Sequence, residues 1–169
     1  MGDNLAQFLE ASGPVYTVPF SATVLTTNPI DLFCVTASTE SRVVIREIRL
    51  GQYSEFGDAQ AELLSLEMMT GSTAPSSGTA ITPRNVAGHS GAPTAVSAVV
   101  GPSTTLASTT SAALDWADTW NVAAGLLYAP VPAERKIVAA GDTWILRMSA
   151  PADALTLNGT LMIQEIGRP

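Results

Sequence analysis

The sequence predicts an all-β domain, an antiparallel β-sandwich, and three observations carry that prediction. Apolar residues recur in short runs with a period of two. Those runs are separated by turn-forming clusters such as Thr26-Thr27-Asn28-Pro29, Pro130-Val131-Pro132 and Ala140-Gly141-Asp142. The 169 residues, 46% hydrophobic and 14% charged, are also too apolar and too weakly charged for a disordered chain. A chain of this size buries roughly two thirds of its unfolded surface in one core.

The first element is the exception. Residues 4–11 read as a short amphipathic helix, with Asn4 as cap and Leu5, Phe8 and Leu9 on one face, stopped by Gly13-Pro14. So short a helix does not hold alone in water, which marks residues 1–13 as an arm that orders against a neighbour, docks on its own domain or frays. Residues 14–169 form the single β-domain. Strands are expected at 15–20, 30–36 and 42–50. In the last, Val43 and Ile45 share one face while Ile48 and Leu50 share the other, which a one-residue bulge near Arg46-Glu47 reconciles. Arg42, Arg46 and Arg49 are expected to pair across strands with acids or, alternatively, to meet an acidic patch on a partner.

Residues 60–69 fit a helix behind Asp58 almost as well as a strand, and the β context selects a strand. Residues 70–114 are rich in Gly, Ser, Thr, Ala and Pro and lack aromatics. They read as long loops around one strand at 93–100, used for subunit contact or projection from the body. Further strands are expected at 121–129 and 142–149, with Trp144, Leu146 and Met148 on one face of the second. Asn158-Gly159 is ordinarily a hairpin signal. Here Leu155, Leu157, Gly159, Leu161 and Ile163 keep one period of two through it, so 155–166 reads as one strand in which Gly159 makes room for a neighbour such as Trp144. Many short strands joined by long loops suit the jelly-roll type of sandwich.

The side chains of catalysis are scarce. The chain has one histidine, His89, and one cysteine, Cys34, and Lys136 is its single lysine. No Ser/His/Asp or Cys/His arrangement is visible, so no catalytic residue and no cofactor is assigned. Cys34, in an apolar run, reads as a buried inert thiol. Glu55, Asp58 and Glu62 lack the spacing of an EF-hand loop and are not assigned to a metal. A net charge of −7 opposes nucleic-acid binding. No apolar run reaches membrane-span length, and the N-terminus lacks the basic start of a signal peptide, which points to a soluble chain with no membrane partner, not exported by the usual route. Asn158-Gly159-Thr160 is a glycosylation triplet, but without a secretion signal it carries little weight. Trp116 and Trp120, with Asp115 and Asp118 beside them, suit either a core and protein interface or a sugar-stacking platform.

Three segments resemble a family of small structural proteins of tailed bacteriophages. They are residues 51–62 (Gly51-Gln52-Tyr53 through Ala61-Glu62), Trp120-Asn121-Val122, and residues 150–161 (Ala150-Pro151-Ala152 through Thr160-Leu161). The resemblance runs from about Val15 to the end and is weakest near residues 72–115. It implies a virion component, a capsid decoration or cement protein made in the host cytoplasm and bound on the outer surface of the head. Its partners would be the major capsid protein and other copies of itself, as a homotrimer by analogy with decoration proteins at three-fold positions. Leu5, Phe8, Leu9, Trp116 and Trp120 are the candidate partner contacts. The alternative is a receptor- or glycan-binding module of a tail or fibre, with Trp116 and Trp120 as platforms.

Overall fold

The structure is a computed structural model that describes residues 13–25, 28–53, 62–75, 77–88, 93–152 and 154–166. In chain order the strands are β1 (Val15–Leu25), β2 (Ile30–Ala37), β3 (Arg42–Gln52), β4 (Leu63–Thr70), β5 (Arg84–Asn85), β6 (Val96–Val100), β7 (Ala113–Asn121), β8 (Leu126–Tyr128), β9 (Ile137–Val138), β10 (Thr143–Met148) and β11 (Leu155–Ile166). One turn of 3₁₀ helix, Pro132–Glu134, separates β8 from β9. The first sheet has the order β5-β1-β11-β3-β8, with β9 also on β3; the second has the order β6-β2-β10-β4-β7. All pairs are antiparallel. Strands β1 to β6 therefore alternate between the sheets as the chain proceeds, after which β7 and β10 lie in the second sheet and β8, β9 and β11 in the first.

Period-two patterning places the core between them. Val18, Ile48, Leu161 and Ile163 from the first sheet meet Leu32, Leu66, Trp144 and Leu146 from the second, all fully buried. The ambiguous fourth run is a strand, and the bulge in the third falls at Arg46, skipped between Ile45 and Glu47 opposite Ile163 and Met162. Strand β11 runs unbroken through Asn158-Gly159. Its close neighbour at Gly159 is Phe20 rather than Trp144: the two are register partners, and a Cβ there would meet the Phe20 ring.

The structure corrects three further expectations. The strand at 121–129 is two strands with a turn between, because the Asn121 side chain accepts the Ala123 N–H at 3.0 Å and its carbonyl accepts the Ala124 N–H at 3.0 Å. Two of the three arginines bond otherwise than to an acid across strands: Arg49 pairs with Glu47 on its own strand, and Arg46 donates to the neutral Gln164 side chain at 2.7 Å. The central loops, expected to project or contact other subunits, fold back in part over the outer face of the second sheet. There Cys34, Met69 and Ile145 form a second, smaller core closed by Ala107.

A buried ion pair fastens this cover. Asp31, with a side chain 0% exposed, accepts from Arg147 Nε at 2.7 Å and from the Ala107 N–H at 2.7 Å. The Arg147 guanidinium in turn donates to the Ala107 carbonyl at 2.9 Å. Backbone bonds between Asp31 and Ser103, both 3.0 Å, continue the seam.

Candidate functional site

A cleft opens along one side of the sandwich, where the edge of the second sheet faces the β8–β9 edge of the first. It has a volume of about 820 Å³ and is lined by Met68, Asp115 and Trp116 on one wall and by residues 127–130 and 133–137 on the other. Trp116 lies against Tyr128, with ring centroids 5.1 Å apart and planes tilted by 58°. Beside them the chain's single lysine, Lys136, donates to Asp115 at 2.6 Å. Asp115 also accepts from Thr70. Its position follows from a bulge: Trp116 opposes Met68 and Leu114 opposes Met69, so Asp115 has no register partner and turns toward both sheets. Burial, and secondarily the Glu134 charge, push the Tyr128 hydroxyl above its ordinary range, so it remains a neutral hydrogen-bonding group.

The two tryptophans named from sequence part company here. Trp116 lines the cleft, whereas Trp120 is 4% exposed in the core and donates its indole N–H to the Ala124 carbonyl at 2.6 Å. Trp120 offers no platform to a ligand. Leu5, Phe8 and Leu9 lie outside the described residues, as do His89, Glu55 and Asp58. Sequence reasoning missed Tyr128 and Lys136. Their signals were present, since Pro130-Val131-Pro132 announces a rigid turn beside Tyr128 and a lone lysine in an acidic chain has acids to choose from.

Among the described residues no group of three or more His, Cys, Asp and Glu is placed to hold a metal ion, and no helix is long and apolar enough to cross a membrane. Cys34 is buried beneath the cover. Burial first, and then the Asp31 charge, push its thiol up to about 12, against a hydrogen bond from Thr36 that lowers it. Iodoacetamide at about pH 8 is accordingly expected to spare the native protein and to label it in denaturant. Rapid native labelling, read by mass spectrometry, would overturn the inert assignment.

The segments that carry the phage resemblance meet at one end of the sandwich. Gln52 pairs with Leu157 and Gly51 with Asn158, and the Tyr53 N–H donates to the Thr156 carbonyl at 2.8 Å. Glu62 joins the other two: its carbonyl accepts the Val122 N–H at 3.1 Å, and its carboxylate accepts the Ala152 N–H. Tyr53 and Leu63, at this same end, are each 67% exposed.

No protein-family model matches the chain, and no curated protein matches it. Among solved structures it is similar to the infectious bursal disease virus VP2 subviral particle, at 13% identity over 95% of this chain and 43% of that one, with a TM-score of 0.23. It is also similar to the Gx strain of the same virus, at 14% identity over 95% of this chain and 42% of that one, with a TM-score of 0.19. The chain thus spans about two fifths of the length of those viral chains. Likeness at this level carries no argument about function.

Proposed function

We propose that this chain is a structural component of a bacteriophage virion, a capsid decoration protein that binds the major capsid protein on the outer surface of the assembled head. In this reading it is homo-oligomeric, a trimer at three-fold junctions, and it cements neighbouring capsomers. The strand orders β1-β11-β3-β8 and β2-β10-β4-β7 in two antiparallel sheets support reading the sandwich as a jelly roll.

The observation that carries the reading is the convergence of the three resembling segments on one end of this frame, where Tyr53 and Leu63 stand exposed. Segments spread over about a hundred residues of chain have no local reason to resemble one family together, and a shared contact end supplies one. The mechanism is mass action. A protein that binds only the closed lattice stabilises it by RT ln(1 + [L]/Kd), with no bond made or broken. The reading needs no cofactor and no nucleic-acid or membrane partner.

The test is co-sedimentation. The full chain is expected to pellet with assembled heads and to remain in solution with free major capsid subunits. The double variant Tyr53→Asp, Leu63→Asp is expected to lose head binding by at least about tenfold while keeping its fold, since removing exposed apolar anchors at an interface costs on the order of 1–2 kcal/mol each. Deleting residues 1–12 is expected to weaken retention and leave the β-domain folded. A chain that ignores heads and pellets with host cell envelopes would overturn the reading. A second reading, glycan binding on a tail or fibre, is favoured by one observation, the aromatic pair Trp116 and Tyr128 in an open cleft.

A further inference from the structure

We propose that the open side of the sandwich, where the cleft meets residues 127–137, is the surface through which copies of this chain associate. The proposal rests on the reading above only for the expectation that the chain self-associates.

Large apolar side chains are left outside here in a short stretch: Leu127 is 63% exposed, Val131 58% and Ile137 43%. Ala129, Pro130, Pro132 and Ala133 add small or apolar side chains to the same stretch of chain, which Glu134, Arg135 and Lys136 interrupt before Ile137. Leu127 and Ile137 belong to the wall of the cleft that Trp116, Tyr128 and Met68 also line, and aromatic residues are the usual anchors of protein contacts. The ridge is preorganised. Pro130 and Pro132 fix the backbone on either side of Val131, and the Val131 carbonyl accepts the Glu134 N–H at 2.9 Å. Ordering it on association therefore costs little. In the proposed contact the Val131 ridge of one copy enters the cleft of the next, in a two-fold pair or around a closed ring.

Charge selects a second copy as the occupant. The chain carries 15 acidic and 8 basic residues, so two copies repel over most approaches. The cleft is lined by two acids, Asp115 and Glu134, and two bases, Arg135 and Lys136, which makes this side neutral where the molecule is not. The mode is side-chain packing rather than strand addition. The neighbouring edge strand β7 carries the bulge at Asp115, and Asp118, register partner of the core residue Leu66, points inward, both of which discourage edge pairing.

Light scattering on the full chain tests this. The wild type is expected at two or three times its 17.5 kDa mass. Leu127→Lys with Val131→Asp is expected to return it to a single chain with an unchanged circular dichroism spectrum and melting temperature. Val86→Asp, on an exposed apolar residue beside β5 at the opposite edge, is expected to leave the oligomer intact. A monomeric wild type, an oligomer that survives the double variant, or one that Val86→Asp also dissociates would each overturn the proposal. Head co-sedimentation is read separately. An oligomer that ignores heads refutes the decoration role and leaves this surface standing, and a monomer that binds heads does the reverse.

Discussion

Replacing Gly159 by alanine is expected to destabilise the protein by about 1–3 kcal/mol, and by valine more, because the inserted carbon has no room. A Cβ at this position would stand 2.5 Å from Phe20 Cζ, closer still to Cε1, and 3.1 Å from Leu50 Cδ2. The Phe20 ring has little freedom to withdraw. It is 8% exposed and rests on Phe33 with centroids 5.1 Å apart. Phe20 and Leu50 are the register partners of Gly159 on either side, so the glycine is the slot into which two neighbouring strands lean. If the ring is the obstacle, Phe20→Leu should absorb part of the damage, and the double variant should lose less than the two single losses added together. Urea midpoints for the four proteins measure this. Strict additivity, or an alanine variant as stable as the parent, would show that the strand does not depend on this close approach.

The same glycine shows what was legible in the sequence. Alternation at Leu155, Leu157, Leu161 and Ile163 overrode the hairpin signal of Asn158-Gly159, because a register that changed there would have turned an apolar face to water. The bulge at Arg46 was legible for the same reason: the apolar face changes sides within one run. Strand β7 was not. An edge strand covered on one side leaves residues of both parities exposed, so Leu114, Ala117 and Thr119 give no alternation to read. Periodicity also says which residues share a face and nothing about which distant residue meets them. Glycine 159 was seen to need a neighbour, but Trp144 was named where Phe20 stands. Trp116 and Trp120 looked equivalent, and only the turn at Asn121 decides that one indole bonds to Ala124 while the other lines a cleft. The second core was legible only at Cys34, whose apolar run marked it as buried. Met69 and Ile145 sit on a face that alternation assigns to solvent, and the part of the cover around Ala107 and Ala112 has no apolar period to read.

That cover is the site of the largest expected effect. Arg147→Met is expected to cost about 3–5 kcal/mol, because it strands a carboxylate that is 0% exposed. In the native protein Asp31 receives Arg147 Nε at 2.7 Å and Nη2 at 3.2 Å, and the Ala107 N–H at 2.7 Å. Without the guanidinium, of these donors only the Ala107 amide remains, and the Ala107 carbonyl also loses its donor at 2.9 Å. The second change, Asp31→Leu on the Arg147→Met background, removes the buried charge altogether and should recover much of the stability, since a buried pair exchanged for apolar groups of similar volume is often near neutral. It should not restore the anchor of the cover, because neither the carboxylate that bound the Ala107 N–H nor the guanidinium that bound its carbonyl is present. Cys34 reports on this independently of global stability. Its thiol lies in the small core beneath Ala107, so labelling under native conditions should be slow in the parent and faster in both variants. Recovery of stability together with parental labelling would mean that apolar contact alone holds the loop down. An Arg147→Met protein within about 1 kcal/mol of the parent would mean that Asp31 escapes to water, and that the ion pair does not fasten the cover.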